Sequence, residues 1–247
     1  MPHSPAIKAI CFDFMGTCLD WHSSIVAALP QKLPERDRSA FALEWRQCYF
    51  DANSQRQADG HPPEDIDITH LRVLKEMLQL PKHEAMKTAF TPKTCQSAVA
   101  AWHYQKAWPD VAPAVATLKE RGYEVFVHAN GTTRLQLDLC RSSGLDFNML
   151  FSSELLGVYK PAPEAYLRGL ELLKRKSGEC VMVAAHAYDT RGAAAVGMKT
   201  VYIYRWTDDV LEDQMLVRGE NDVYLDSMDG LVEAVDRLEG VSGMKNA

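Results

Sequence analysis

The chain has 247 residues, of which 47% are hydrophobic and 24% are charged, the balance of an ordinary soluble globular protein. A formal net charge of −6 argues against a nucleic-acid-binding face, and no apolar run approaches the about 20 residues that span a bilayer. The first residues lack the basic segment of a secretory signal, and the six cysteines are scattered without a CxxC pair. We therefore expect a reduced, cytoplasmic protein with neither nucleic acid nor membrane as a partner.

The beginning of the chain predicts one strand and then a helical insertion. The apolar run at 7–14 predicts a β-strand that ends at Asp13, followed by a turn at Gly16 and Thr17. Residues 20–105 show only helical periodicity, with apolar positions at Phe41, Trp45 and Tyr49 and at Ile68, Leu71, Leu74, Met77 and Leu78. An all-helical block after a first strand is typical of a cap domain. We therefore predict a cap at 20–105 and a core formed by 1–19 and 106–247.

The rest of the chain alternates between helices and strands. The pattern predicts strands at 123–129, near 148–152, at 180–186 and at 199–204, and helices at 109–121, near 132–142, at 163–174, near 190–196 and at about 227–238. Strands that alternate with helices favour a parallel sheet covered by helices on both faces. The predicted fold class is therefore α/β, a doubly wound parallel sheet with an inserted helical cap.

Polar side chains stand where these predicted strands end. Asp13 ends the first strand, Asn130 follows the second, and Lys160 comes shortly after the third. His186 and Asp189 follow the fourth. Because ligands bind at the carboxyl ends of the strands in an open parallel sheet, these five residues predict a functional site at that edge.

The motifs that carry these residues resemble those of the haloacid dehalogenase superfamily. FDFMGTCLDW at 12–21 is similar to its first motif, HANGTT at 128–133 to its second, YKPAPEAY at 159–166 to its third and AAHAYDTRGA at 184–193 to its fourth. EWRQCYF at 44–50 resembles the cap helix of the 2-haloacid dehalogenases. The resemblance covers nearly the whole chain in the right order and implies a Rossmann-like core with a cap.

The resemblance also implies roles for individual residues. Asp13 would be the nucleophile, Lys160 would hold it, and Asp189 would activate the water that hydrolyses the resulting ester. Arg46 would bind the carboxylate or halide of a small-molecule substrate. No metal and no cofactor is implied. The further candidates for substrate binding are Met15, Thr17, Asn130, Trp45 and Tyr49, and Trp21 and Trp102 could join an aromatic lining or simply form the core of the cap.

Departures from the phosphatase pattern of the superfamily argue against phosphoryl transfer. Phosphatases place a second aspartate two residues after the nucleophile, where this chain has Met15. Their fourth motif also supplies an acidic pair for Mg²⁺, and here Ala184 and Ala185 stand where its Gly-Asp would be. Because Mg²⁺ needs oxygen ligands, these changes remove both an acid and metal ligands.

Departures from the dehalogenase pattern leave the substrate open. Met15 replaces a tyrosine, Ala129 and Ala184 replace serines, and His186 replaces an asparagine. Fewer hydroxyls favour a larger, more apolar substrate, and His186 is a candidate acid or base. We expect a hydrolase similar to (S)-2-haloacid dehalogenase. The alternative is an enzyme that opens or rearranges an epoxide on an apolar intermediate of secondary metabolism; a phosphatase or a non-catalytic binding protein is less favoured. A homodimer is compatible with the sequence.

Overall fold

The computed structural model describes residues 7–62 and 64–244, which divide into two units. One unit comprises the chain up to Leu19 and from Ala107 onward, and the other runs from Asp20 to Lys106. The second boundary between the units, between Lys106 and Ala107, thus lies one residue beyond the predicted boundary between 105 and 106. The strands are β1 (Ala9–Phe12), β2 (Leu19–Asp20), β3 (Lys106–Ala107), β4 (Glu124–Ala129), β5 (Met149–Ser152), β6 (Cys180–Ala184), β7 (Lys199–Ile203) and β8 (Val223–Leu225).

Helices account for most of the remaining chain. They are α1 (Trp21–Ala28), α2 (Glu35–Ala58), α3 (Ile66–Met77), α4 (Glu84–Lys87), α5 (Pro92–Ala100), α6 (Val111–Glu120), α7 (Thr133–Ser143), α8 (Ser153–Leu156), α9 (Pro163–Leu173), α10 (Ala187–Ala195), α11 (Gln214–Glu220) and α12 (Leu231–Met244). None of these described helices is both long enough and apolar enough to cross a membrane.

A six-stranded parallel sheet with the order β5-β4-β1-β6-β7-β8 forms the centre of the first unit. All four residues of β1 are buried, as expected for a central strand covered on both faces. In the register of the sheet, Phe12 lies opposite Val127 of β4 and Val183 of β6. Asp13 therefore leaves the sheet beside the ends of both neighbouring strands. The predicted fold class, a parallel α/β core with an inserted helical cap, is confirmed.

The second unit is helical apart from its terminal strand residues, and one detail of its predicted pattern is wrong. Ile68 was expected on the apolar face of its helix, but 58% of its surface is exposed. Helix α3 begins after Asp65, whose side chain accepts a hydrogen bond from the Asp67 amide. Steps of three and four residues from Ile66 then lead along the buried face through His70 and Val73, which leaves position 68 facing away.

Several elements were not predicted from the sequence. The short helix α8, helix α11 and strand β8 are additional elements of the first unit, and β2 pairs with β3 in a small separate sheet. All six cysteines, which lie within the described ranges, are free, in agreement with the expected reduced thiols.

Candidate active site

Asp13 follows the central strand β1, and its carboxylate is buried and held at both oxygens. Lys160 Nζ donates to Oδ1 at 3.0 Å. Oδ2 accepts from Thr17 Oγ1 at 2.7 Å and from His186 Nδ1 at 3.0 Å. Thr17 Oγ1 itself accepts from the Ala185 amide at 2.8 Å, so its own hydrogen is directed at Asp13. The carboxylate is therefore fixed in position by residues from three different segments.

Lys160 joins Asp13 to a second carboxylate. Its ammonium group donates to Asp13, to Asp189 Oδ2, and to the backbone oxygen of His128 at 2.6 Å, which uses all three of its hydrogens. The side chain is almost completely buried. Burial alone would lower the pKa of this lysine, but the Asp13 and Asp189 carboxylates raise it, so Lys160 carries a positive charge.

Asp189 lies in the first turn of α10 and is fully buried. Its Oδ1 accepts from the hydroxyl of Tyr166 at 2.7 Å, and its Oδ2 faces Lys160. Burial raises the pKa of Asp189 above its usual value, although Lys160 opposes this, and the neighbouring Asp13 carboxylate raises it further. A carboxylate of raised pKa is a better proton acceptor than an exposed one.

His186 bridges Asp13 to a third carboxylate that sequence reasoning missed. Its Nε2 lies 3.1 Å from Asp208 Oδ1, while its Nδ1 faces Asp13. Asp208 is buried in the loop after β7, and its Oδ2 accepts from Thr207 Oγ1 at 2.7 Å. Burial alone would lower the pKa of His186, but the hydrogen bonds to Asp13 and Asp208 raise it to about 10. The ring is therefore an imidazolium at neutral pH.

These neighbours also determine the charge of Asp13. Burial by itself would raise the pKa of its carboxyl group, but Lys160, His186 and Thr17 hold that pKa well below its usual range. Asp13 is thus an anion held between two cations. We call Asp13, Lys160, Asp189, His186 and Asp208 the carboxylate network.

Two further predicted site residues, Asn130 and Met15, lie close to residues of this network. The amide of Asn130 donates from Nδ2 to the Lys160 backbone oxygen at 3.0 Å, and its Oδ1 accepts from the Lys160 amide at 2.9 Å. It fastens the segment that carries Lys160 to the end of β4. Met15 is buried in the turn after Asp13, where it forms an isolated bridge with Leu19. Substrate contacts by Asn130, Met15 and Thr17 remain predictions.

Arg46, in the second unit, lies among four aromatic rings. The side chain is buried, and its guanidinium carbon lies 4.4 Å from the centre of the Phe50 ring. The rings of Trp21, Trp102 and Tyr49 lie at 5.5, 5.6 and 5.8 Å. Cation–π attraction of this kind holds a guanidinium without neutralising its charge.

Tyr49 and Trp102 also enclose His70. The histidine ring is stacked between them, with centroid distances of 4.2 Å to Tyr49 and 4.1 Å to Trp102. Trp45 meets the same ring edge-on at 5.3 Å and donates from Nε1 to the His70 backbone oxygen. Burial lowers the pKa of His70 far below its usual value, so the ring is neutral. We call the group formed by Trp21, Trp45, Arg46, Tyr49, Phe50, His70 and Trp102 the aromatic cluster.

The predicted site residues thus fall into two groups. Asp13, Lys160, Asp189 and His186 meet in the carboxylate network of the first unit, beside Thr17 and Asn130. Arg46, Trp45 and Tyr49 share the aromatic cluster of the second unit. Trp21, Trp45 and Trp102 are fully buried, as expected for aromatic residues that form a core. Among the described residues, no group of three or more His, Cys, Asp or Glu side chains is arranged to hold a metal ion.

Known proteins similar to this chain include both dehalogenases and phosphatases. Haloacetate dehalogenase H-2 of Moraxella sp. (strain B) is 28% identical over 204 residues, which are 81% of this chain and 87% of that protein. The crystal structure of the L-2-haloacid dehalogenase PA0810 superposes with a TM-score of 0.80 at 28% identity, covering 94% of this chain and all of that one. A phosphoglycolate phosphatase of Aquifex aeolicus is 25% identical over 197 residues, covering 78% of this chain and 83% of that protein.

A family model agrees with this similarity over most of the chain. The model of the haloacid dehalogenase-like hydrolases matches residues 7–197, which include Asp13, Lys160, His186 and Asp189. The chain therefore belongs to the haloacid dehalogenase-like hydrolases.

Proposed function

We propose that this hydrolase cleaves a carbon–halogen bond in a 2-haloacid, with Asp13 as a covalent nucleophile and without a metal ion. The observation that carries the proposal is the asymmetric binding of the Asp13 carboxylate. Oδ2 accepts from both Thr17 and His186, whereas Oδ1 accepts from Lys160. Oδ1 is the less constrained oxygen and is the one we assign to the attack.

In the first step, an electron pair of Oδ1 forms a bond to the carbon that bears the halogen, and the halide leaves with the bonding pair. The attack turns the buried Asp13 anion into a neutral ester. Lys160 aligns the attacking oxygen, and positioning of this kind is a large part of what an enzyme supplies to a displacement. The low basicity of Asp13 matches this role, because the carboxylate stays ionised and needs no base to activate it.

The position of His186 favours a leaving group that departs without a proton. In a displacement at carbon, the leaving group departs on the side opposite the nucleophile. The Nδ1 hydrogen of His186 is directed at Asp13 Oδ2, on the nucleophile's own side. An epoxide oxygen or an alcohol would need an acid on the far side, whereas a halide ion needs none. This placement supports a halide over an oxygen leaving group.

In the second step, water attacks Cγ of the Asp13 ester. We assign the general base to Asp189, whose pKa is raised by burial and whose position is fixed by Tyr166 and Lys160. The water proton passes to Asp189 and then to the departing alcohol oxygen. The new carboxyl group of Asp13 then loses the second water proton to solvent, so the products are the hydroxy acid, a proton and the regenerated Asp13 carboxylate.

We assign the recognition of the substrate carboxylate to Arg46. Its guanidinium lies among the rings of Phe50, Trp21 and Trp102, in low-dielectric surroundings that strengthen the attraction between a cation and a carboxylate. The phosphatase alternative has less support, since Met15 and Ala185 stand where the phosphatases that the motifs resemble carry acids.

A single-turnover reaction in ¹⁸O-labelled water tests the proposal, with enzyme in excess over (S)-2-chloropropionate. We expect chloride release, one ¹⁸O atom in the Asp13 peptide and an unlabelled, configurationally inverted hydroxy acid. The inversion follows from attack opposite the chloride. Label in the product after one turnover, with none in Asp13, would mean that water attacks the substrate directly. Phosphate release from phosphate esters with added Mg²⁺, without chloride release, would favour the phosphatase instead.

A further inference from the structure

Asp208 and His186 form a pair that the two steps above leave without a role. His186 cannot serve as a free base, because each of its ring nitrogens already faces a carboxylate oxygen, at 3.0 Å and 3.1 Å. It is also misplaced for protonating a leaving group. What its Nδ1 hydrogen does reach is Oδ2 of Asp13, the oxygen that does not attack.

That oxygen changes its charge during the second step. Once Oδ1 carries the substrate, Oδ2 is the carbonyl oxygen of an ester. When water adds to Cγ, the π pair of the carbonyl bond moves onto Oδ2 and makes it an oxyanion. When the pair returns, the bond between Cγ and Oδ1 breaks, and the alcohol leaves with the proton that Asp189 took from the water. Donors directed at Oδ2 therefore stabilise the transition state of ester hydrolysis.

We propose that His186 is the charged donor of an oxyanion site for hydrolysis of the Asp13 ester, and that Asp208 is the residue that positions it. This inference rests on the proposed function, because it concerns the ester that the first step forms. Thr17 is the second donor of the site, since its hydrogen is directed at the same oxygen.

The surroundings of Asp208 show how it fixes the histidine. Thr207 Oγ1 donates to Asp208 Oδ2, while Asp208 Oδ1 faces His186 Nε2. Gly16, with a φ of +89°, lies so close to this carboxylate that a Cβ atom there would come within 2.5 Å of Oδ1. The pair is thus packed against the turn that follows the nucleophile. A hydrogen bond from an imidazolium to an oxyanion is stronger than one from a neutral donor.

The test separates the two half-reactions with (S)-2-bromopropionate as the probe. Enzyme in excess is mixed with the probe, and bromide release, hydroxy acid release and the mass of the Asp13 peptide are followed over time. For Asp208→Asn we expect bromide release within about threefold of wild type and hydroxy acid release slowed by about 10- to 100-fold, less than the full loss of an oxyanion donor. The Asp13 peptide should then accumulate as the carboxyethyl ester.

Asp209→Asn is the matched control. Asp209 is the next residue in the loop, and its Oδ2 accepts from the Ala187 amide at 2.5 Å and from the Tyr202 hydroxyl at 3.1 Å. An asparagine oxygen can accept both bonds, and asparagine tolerates the φ of +51° found there. We expect both rates to stay at the wild-type level in this variant.

Two results with Asp208→Asn would overturn the proposal but leave the covalent mechanism intact. One is an equal slowing of bromide release and hydroxy acid release without accumulation of the Asp13 ester. The other is hydroxy acid release at the wild-type rate. Wild-type enzyme that releases no bromide and forms no ester would overturn the proposed function and this inference together. If Asp208→Asn does not fold, Thr207→Val removes one hydrogen bond from Asp208 and should give the same selective slowing to a smaller degree. Hydrolysis at the wild-type rate in that variant would count against the proposal in the same way.

Discussion

In the carboxylate network of the first unit, five ionisable side chains hydrogen-bond one another, whereas in the aromatic cluster of the second unit the polar side chains are surrounded by rings. Lys160 and His186 each face two carboxylates. His70, by contrast, has no hydrogen-bond partner for either ring nitrogen within the described ranges, and the same holds for Trp102 Nε1. One region is stabilised by matched charges and the other by packing of rings.

The difference predicts how each region responds to change. Removing one member of a buried ionic network leaves its partner charged and unpaired, which costs far more than the pair contributes. Removing an unpaired polar atom from an apolar cluster costs little, because no hydrogen bond is lost. We therefore expect substitutions in the carboxylate network to cost more stability than substitutions in the aromatic cluster that keep ring shape.

The largest expected effect is on turnover when Asp13 is replaced. Asp13→Asn removes the nucleophile, and we expect halide release to fall by at least about 10⁴-fold, as is typical when a covalent nucleophile is lost. Asp146→Asn is the control, because Asp146 is exposed and pairs with Lys119 on the surface. Halide release from Asp13→Asn at the wild-type rate would remove the carboxylate network from the chemistry altogether.

The next largest effect is on stability when Lys160 is replaced. Lys160→Met leaves Asp13 and Asp189 as neighbouring buried carboxylates without a cation between them, and we expect a loss of about 3–5 kcal/mol in the free energy of unfolding. Urea denaturation measures this loss. The surface pair of Lys119 with Asp146 gives the comparison, because Lys119→Met should change stability by no more than about 1 kcal/mol. Equal losses in the two variants would contradict the idea that burial makes the network costly to break.

A third prediction concerns the pH dependence of stability. The pKa of His186 in the folded protein is about 10, above the about 6.5 of an unfolded histidine. A raised pKa means that the charged form stabilises the fold fully below about pH 6.5, and that this contribution is lost as pH rises to about 10. The stability of wild type relative to His186→Asn should therefore decline by up to about 1.4 kcal/mol per pH unit across this window. A difference that is constant between pH 6.5 and 10 would mean that His186 is not charged.

Sequence patterns were sufficient for the fold where elements have a regular apolar pattern. The central strands β1 and β6 are continuous apolar runs and β4 has an apolar centre at Val125–Val127, so their existence could be predicted, and their alternation with helices predicted that they are parallel. Helix α11 escaped prediction because only one of its apolar residues, Val217, is buried, whereas Met215 and Leu216 are exposed by 85% and 60%, so there is no periodic apolar pattern. Strand β8 has only three residues, all half-buried, and such a segment has no periodicity to detect.

The sequence predicted the residues of the candidate site that lie at or shortly after the ends of predicted strands, but it did not predict Asp208. Asp13, Lys160, His186 and Asp189 were found because the carboxyl ends of parallel strands meet. Asp208 was missed since it lies five residues after β7, beside Asp209, and two consecutive aspartates usually indicate a solvated loop. A search of the loop after every strand of the sheet would have included it. The partner of each carboxylate, by contrast, depends on tertiary packing that sequence spacing does not contain.

The smallest expected effect is on stability when His70 of the aromatic cluster is replaced. His70→Phe keeps a ring between Tyr49 and Trp102 and removes two ring nitrogens without hydrogen bonds, while the backbone oxygen that Trp45 uses is untouched. An unpaired buried polar group costs about 1–3 kcal/mol, so the variant should be as stable as wild type or more stable by about 1 kcal/mol. Urea denaturation at pH 7 measures the difference. His186→Phe is the matched change in the carboxylate network, and it should destabilise strongly because Asp13 and Asp208 lose their shared cation.

If His70→Phe instead destabilised the protein as much as His186→Phe, the nitrogens of His70 would have to be engaged in the folded protein, and the contrast between the two regions would fail. If it were neutral for folding but raised KM for the haloacid while leaving kcat unchanged, the open nitrogens would contribute to substrate binding. In that case the cluster's unsatisfied polar atoms, like the strong charge pairing of the network, would be a feature retained for function at a cost in stability.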